Sequence, residues 1–179
     1  PMNHEDLIYQ RIGKFTVTFQ WVENKLREIG WFILEPDSSN WPPADLRNLT
    51  NEKLIDRVHE LFVQALPRCQ LPQELESDFK ERFESSVKLL HQLRRERNRI
   101  LHSAFIELKA VGEVQGILLS NPKFQVDEES GKAIIDQEIL TRESFEKEMK
   151  MIAEVALFLN RAHLQLIHRY PNGGAQALA

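Results

Sequence analysis

The chain has 179 residues, 42% of them hydrophobic, 28% charged and 8% aromatic. That length suits a single domain, residues 1–179, which can bury roughly 70% of the surface its unfolded chain exposes, and the composition excludes a disordered or collagen-like protein. Lys and Arg number 23 against 27 Asp and Glu, a net charge of −4, which excludes a general nucleic-acid coat and leaves room only for a local basic patch.

The single cysteine, Cys69, forms no internal disulfide and offers no thiolate cluster for zinc, and it points to a reducing compartment. No run approaches 18 apolar residues, and the first residues lack a basic segment followed by an apolar one. A soluble, cytoplasmic protein is expected, with no membrane contact. Pro1, ahead of Met2, reads as a remnant and is set aside.

Prolines punctuate the chain into long uninterrupted intervals. In the first, Ile8, Ile12, Phe15, Phe19, Val22, Leu26, Ile29 and Ile33 recur at steps of four and three, the stripe of a long amphipathic helix. Phe15 to Val22 also alternates as a strand would, but the helical pattern covers more residues. Residues 35–49 read as a loop. Thr50 or Asn51 caps a second helix with apolar face Leu54, Ile55, Val58, Leu61, Phe62 and Ala65, stopped by Pro67.

A third helix is expected to start near Pro72, with Glu74, Glu76 and Asp78 at its positive end, and to continue to about Lys109. Between 110 and 140 three glycines separate short apolar runs, 116–119, 123–126 and 132–135, with a turn at Asp127 to Gly131. This predicts a β-hairpin or small meander. Thr141 caps a last helix with seam Phe145, Met149, Ile152, Ala156, Leu159, His163, Leu166 and Tyr170, and residues 171–179 form a mobile tail. The expected fold is mainly α: an up-down bundle of four helices, or five, with a small β-hairpin insertion before the last one.

The third helix breaks its own pattern. Its seam runs Phe79, Phe83, Val87, Leu90, Leu93, then Arg97, then Ile100 and Ala104. A guanidinium cannot shed its charge, so at a seam position it needs a partner or a wet cavity. His91, Arg95, Asn98 and His102 form a polar stripe beside it, and residues 94–99 hold four arginines against one glutamate, a local +3 in an acidic protein. Arg94, Arg95 and Arg99 read as a solvated cationic face or as an RNA-binding one.

Arg97-Asn98-Arg99-Ile100-Leu101-His102 resembles the Arg, four-to-six residues, His motif of HEPN domains, including the polar residue right after the Arg. The resemblance extends over the bundle, most of residues 5 to 170. The insertion at 110–140 and the loop at 35–49 exceed the short family core. The resemblance implies a dimeric helical bundle and a metal-independent endoribonuclease of toxin–antitoxin or defence systems. It further implies RNA as substrate, no cofactor, an antitoxin or nucleotidyltransferase-type protein as partner, and Arg97, Asn98 and His102 as catalytic residues.

The chemistry fits those residue types. RNA cleavage through the 2′-hydroxyl needs a base, an acid for the leaving oxygen, and positive charge on the transition state. An imidazole titrating near neutrality serves as base or acid, and an arginine fork matches phosphate oxygens. On one straight helix Arg97 and His102 would lie about 140° apart, so a two-fold dimer is needed to gather two of each in one cleft. The rival readings are a catalytically silent HEPN-like module that binds RNA or protein, and a helical adaptor without nucleic acid.

Other residues carry blander expectations. His163 reads as a core histidine, and His59 and His168 lack ligands at metal spacing. Glu23 and Asn24 lie on a helix flank. Trp21 and Trp31 pack the bundle, whereas Trp41, beside Pro42 and Pro43, is a candidate loop contact. Phe124, Val126 and Ile135 alternate on the hairpin and either cover the bundle or form a partner-binding edge.

Overall fold

A computed structural model describes residues 4–36, 44–110, 113–126, 133–141 and 143–171. The chain is mainly helical, with a small three-stranded antiparallel sheet before the last helix. Helix α1 spans His4–Leu34, α2 Ala44–Arg47, α3 Asn51–Ala65 and α4 Gln73–Leu101; strands β1 Ala104–Ala110, β2 Glu113–Val126 and β3 Ala133–Leu140 follow, then α5 Glu146–Arg169. The expected turn at 127–131, Trp41 with its neighbouring prolines, and the tail from 172 lie outside the described residues, as do the side chains of Phe124, Val126 and Ile135.

The residues group into two compact units, 1–19 with 95–150 and 20–94 with 151–179. In the second unit four helices close around aromatic rings. Phe83 of α4 is fully buried, edge-on to Phe62 of α3 at 4.6 Å and 5.6 Å from Phe158 of α5. The α1 stripe supplies Val22, Leu26 and Ile29, all within 1% of full burial. Gly30 permits a close approach there, because a Cβ would lie 2.7 Å from Leu46 Cδ1 and 3.0 Å from Val58 Cγ2. Thr50, not Asn51, caps α3, its side chain accepting from the Lys53 N–H.

Residues 44–47 form a short helix where a loop is expected. It exists through tertiary contacts: Leu46 is buried and its carbonyl accepts from Arg27 Nη1 at 2.6 Å, while Arg27 Nη2 reaches the Leu49 carbonyl. Arg27 also holds Glu23 at 3.1 Å, so that carboxylate is engaged in an ion pair.

The first unit holds the sheet, in order β1-β2-β3. Its first strand corrects the expectation of a helix to Lys109: α4 stops at Leu101, and residues 104–110 pair antiparallel with 113–120 of β2. No Gly or Pro marks the stop. Instead Ser103 returns its hydroxyl to the Arg99 carbonyl at 2.6 Å and its N–H to Ile100, which closes the helix end.

The runs 116–119 and 123–126 belong to one long strand, β2, whose register against β3 slips between Ser120 and Phe124. Pro122 has no N–H for the ladder, and a bulge is where a strand tolerates it.

Before α5, Thr141 caps a turn and not the helix: its hydroxyl accepts from Glu143 N–H, and α5 begins only at Glu146. Phe145 therefore stands outside the helix at φ +70°, buried and stacked on Phe15 at 5.4 Å.

Candidate functional site

The residues from 95 to 103, in the first unit, carry most of the candidate chemistry. Arg97 sits half-buried on α4, and its Nη1 donates to Asn98 Oδ1 at 3.1 Å. Its Nε is buried and has no hydrogen-bond partner among the described residues. His102 lies one residue beyond the helix and not on it; its backbone N–H donates to the Asn98 carbonyl at 3.1 Å, and its imidazole is exposed. Asn98 thus bonds Arg97 through its side chain and His102 through its backbone. The structure places no direct side-chain bond between Arg97 and His102.

The remaining arginines differ sharply in what they face. Arg99 donates to Glu96 and, through Nη2, to Glu138 Oε2 at 2.5 Å, with Asp136 3.9 Å from Nη1. The bonds to Glu96, and then to Glu138, raise its pKa above the usual arginine value against the opposing effect of burial. Arg94, in the second unit, donates to Glu52 at 3.2 Å, and its Nε is buried without a partner among the described residues. Arg95 is exposed. Carboxylates remote in sequence therefore offset much of the local +3, and Arg97 is distinguished by having an amide, not an acid, against it.

His91, the start of the polar stripe, pairs with Asp56 at 2.9 Å in the second unit. Also in that unit, His163 is half-buried, its ring edge-on to Phe32 at 6.0 Å and its Nδ1 3.5 Å from Lys25 Nζ. Burial, with Lys25 adding to it and Glu28 opposing, lowers its pKa. A histidine depressed in the folded state favours folding most above the unfolded value near 6.5, and that contribution erodes as pH falls from there toward the folded value. Urea midpoints at about pH 7.5 and about pH 5 should therefore fall less for His163→Leu than for the native chain. Equal losses would remove His163 from the account.

Sequence reasoning missed the partners supplied by the sheet. On β1, Glu107 bonds Lys109 at 2.9 Å and accepts from the Tyr9 hydroxyl at 3.4 Å. The Lys109 bond lowers the Glu107 pKa, and Glu5, hydrogen-bonded to the same carboxylate, is raised. Alternation over 104–110 was the available signal, masked by apolar residues that continue the helical phase. Among the described residues no group of three or more His, Cys, Asp or Glu is arranged to hold a metal ion. No described helix is long and apolar enough to cross a membrane. Compared with family models, curated proteins and solved structures, the chain finds no match in any of the three.

Proposed function

We propose that the chain is a HEPN-type, metal-independent endoribonuclease, a cytoplasmic toxin or defence effector, with Arg97, Asn98 and His102 as its catalytic residues. The observation that carries this reading is the state of Arg97. A half-buried guanidinium with one buried, unpartnered N–H and only an amide oxygen against it retains charge and donor capacity that Arg99 spends on carboxylates. An exposed imidazole follows immediately past the helix end.

In this mechanism one His102 takes the proton of an RNA 2′-hydroxyl, and the 2′-oxygen attacks phosphorus. The P–O5′ bond breaks, and the departing 5′-oxygen takes a proton from the His102 of a second protomer. Arg97 donates to the phosphoryl oxygens as charge builds on them, and Asn98 holds the Arg97 fork. The products are a 2′,3′-cyclic phosphate and a 5′-hydroxyl. RNA is gripped by Arg95 and Arg97, and Arg99 contributes only as far as its acids release it. A homodimer completes the cleft, and an antitoxin or nucleotidyltransferase-type protein restrains it.

A second reading, a silent module that docks RNA or protein, is favoured by the compensation of Arg94 and Arg99. The deciding test is incubation of purified protein with total RNA and tRNA in EDTA. Fragments ending in 2′,3′-cyclic phosphate support the ribonuclease. Intact RNA with saturable RNA binding selects the module.

A further inference from the structure

A cavity of about 230 Å³ opens between α4 and α5 in the second unit. The helices run antiparallel there: Phe79 and Phe83 of α4 both meet Phe158 of α5, while Arg68, just ahead of α4, bonds Tyr170, just past α5. That direction sets Arg82 with Arg161 at one end of the cavity and Leu89 with Glu154 at the other. Seven residues, about 10 Å of helix, separate Arg161 from Glu154, so the acid does not stand between the two guanidiniums.

Two features meet in this cavity. Among the described residues Arg82 pairs only with Asp78, at 3.7 Å in a half-exposed surface pair that contributes little, and Arg161 forms no ion pair. Two like charges at one end of a groove repel unless an anion lies between them. The second is Ser86, a residue of 6% exposure that lines the cavity and whose hydroxyl, which is not among the buried unpartnered atoms, forms no hydrogen bond with a described residue. Neighbouring Ser85 behaves differently, returning its hydroxyl to the Glu81 carbonyl at 3.0 Å. One guest, an oxyanion, would neutralise the arginines and accept the hydrogen bond that the Ser86 hydroxyl is free to donate.

We infer that this cavity binds a small amphipathic anion, a phosphate monoester of an aromatic or aliphatic group. The phosphate sits between the Arg82 and Arg161 forks, whose planar donors match its oxygens, and Ser86 donates a further hydrogen bond. The organic body lies along Phe158 and Leu157, covering a leucine side chain that is otherwise 63% exposed. Glu154 at the far end accepts from a hydroxyl or amine and repels a second anionic group. The site stands independently of the ribonuclease reading, since none of its residues lies in the last two turns of α4.

Isothermal titration of the full chain with phenyl phosphate, inorganic phosphate and phenol tests it. Phenyl phosphate should bind saturably, inorganic phosphate about tenfold more weakly for want of the apolar body, and phenol not at all. Arg82→Gln and Arg161→Gln should each weaken phenyl phosphate about tenfold or more, and Ser86→Ala about three- to tenfold, at unchanged helical content. Absence of saturable binding, arginine variants that both bind phenyl phosphate as tightly as the native chain, or phenol binding as tightly as phenyl phosphate would each overturn the proposal. Inorganic phosphate matching phenyl phosphate would overturn the role given to Leu157 and Phe158.

Discussion

His102→Ala should lower cleavage of RNA in EDTA by about 10²–10⁴-fold, the usual contribution of a positioned acid or base. The side chain is exposed, and among the described residues His102 bonds only through its backbone N–H, which alanine retains, so the variant should keep native helical content, oligomeric state and urea midpoint. Arg97→Ala should lose about 10²–10³-fold, as removal of a single donor to developing charge does. Its stability should hold or rise slightly, because the substitution also removes a buried, unpartnered Nε. Arg97→Lys separates charge from geometry: it keeps the cation and loses the fork, so it should recover only part of the rate. Cleavage undiminished by His102→Ala would reject the site, whatever the arginine variants did.

The largest loss of stability should come from Phe83→Ala, about 3–5 kcal/mol. The ring is fully buried and touches His59 and Phe62 of α3 and Phe158 of α5, so truncation opens a void facing two other helices that cannot both collapse into it. At roughly 2–4 °C per kcal/mol for a chain of this size, the melting midpoint should fall by roughly 6–20 °C, and the urea midpoint with it. Phe79→Ala, whose ring is 7% exposed and sits at the cluster's margin, should cost less. A loss below about 1 kcal/mol for Phe83→Ala would mean the aromatic cluster is not the centre of that unit.

The helices were legible because their information is local. The α1 stripe from Ile8 onward, the face of α3 from Leu54 to Ala65 and the stop before Pro67 are all written in short-range spacing, and the structure returns each one. The strand β1 was not legible, because Ile100, Ala104 and Leu108 continue the phase of α4, while the force that ends the helix is pairing with β2 ten or more residues away. Helix α2 escaped for a similar reason: four residues show no period, and Leu46 is held by Arg27 from another helix.

The candidate site divides along the same line. Arg97 announced itself by violating an apolar phase, and its neighbours Asn98 and His102 could be read directly. Glu96, which holds Arg99, stands at helical spacing from it, but the other acids on Arg94 and Arg99 come from positions 52, 136 and 138, and no spacing rule links those to the arginines. Local charge counting therefore overstated the basic character of the run, and only the tertiary fold identifies Arg95 and Arg97 as the cations without an acid among the described residues.

Strand β2 outlasts its neighbour on one side. Its pairing with β1 ends at Ser120, while β3 follows it through Val126. Past the bulge the sheet narrows to a two-stranded ribbon, and such a ribbon is marginal in water by itself. The consequence is a gradient of lifetimes along a single strand. Amide protons at 117–119, between two partners, should exchange with solvent only in rare, large openings, whereas those at 124–126 should exchange through frequent local fraying. Proton exchange followed residue by residue would read that gradient as a step at the bulge. A uniform rate from 117 to 126 would mean that the strand opens as one piece.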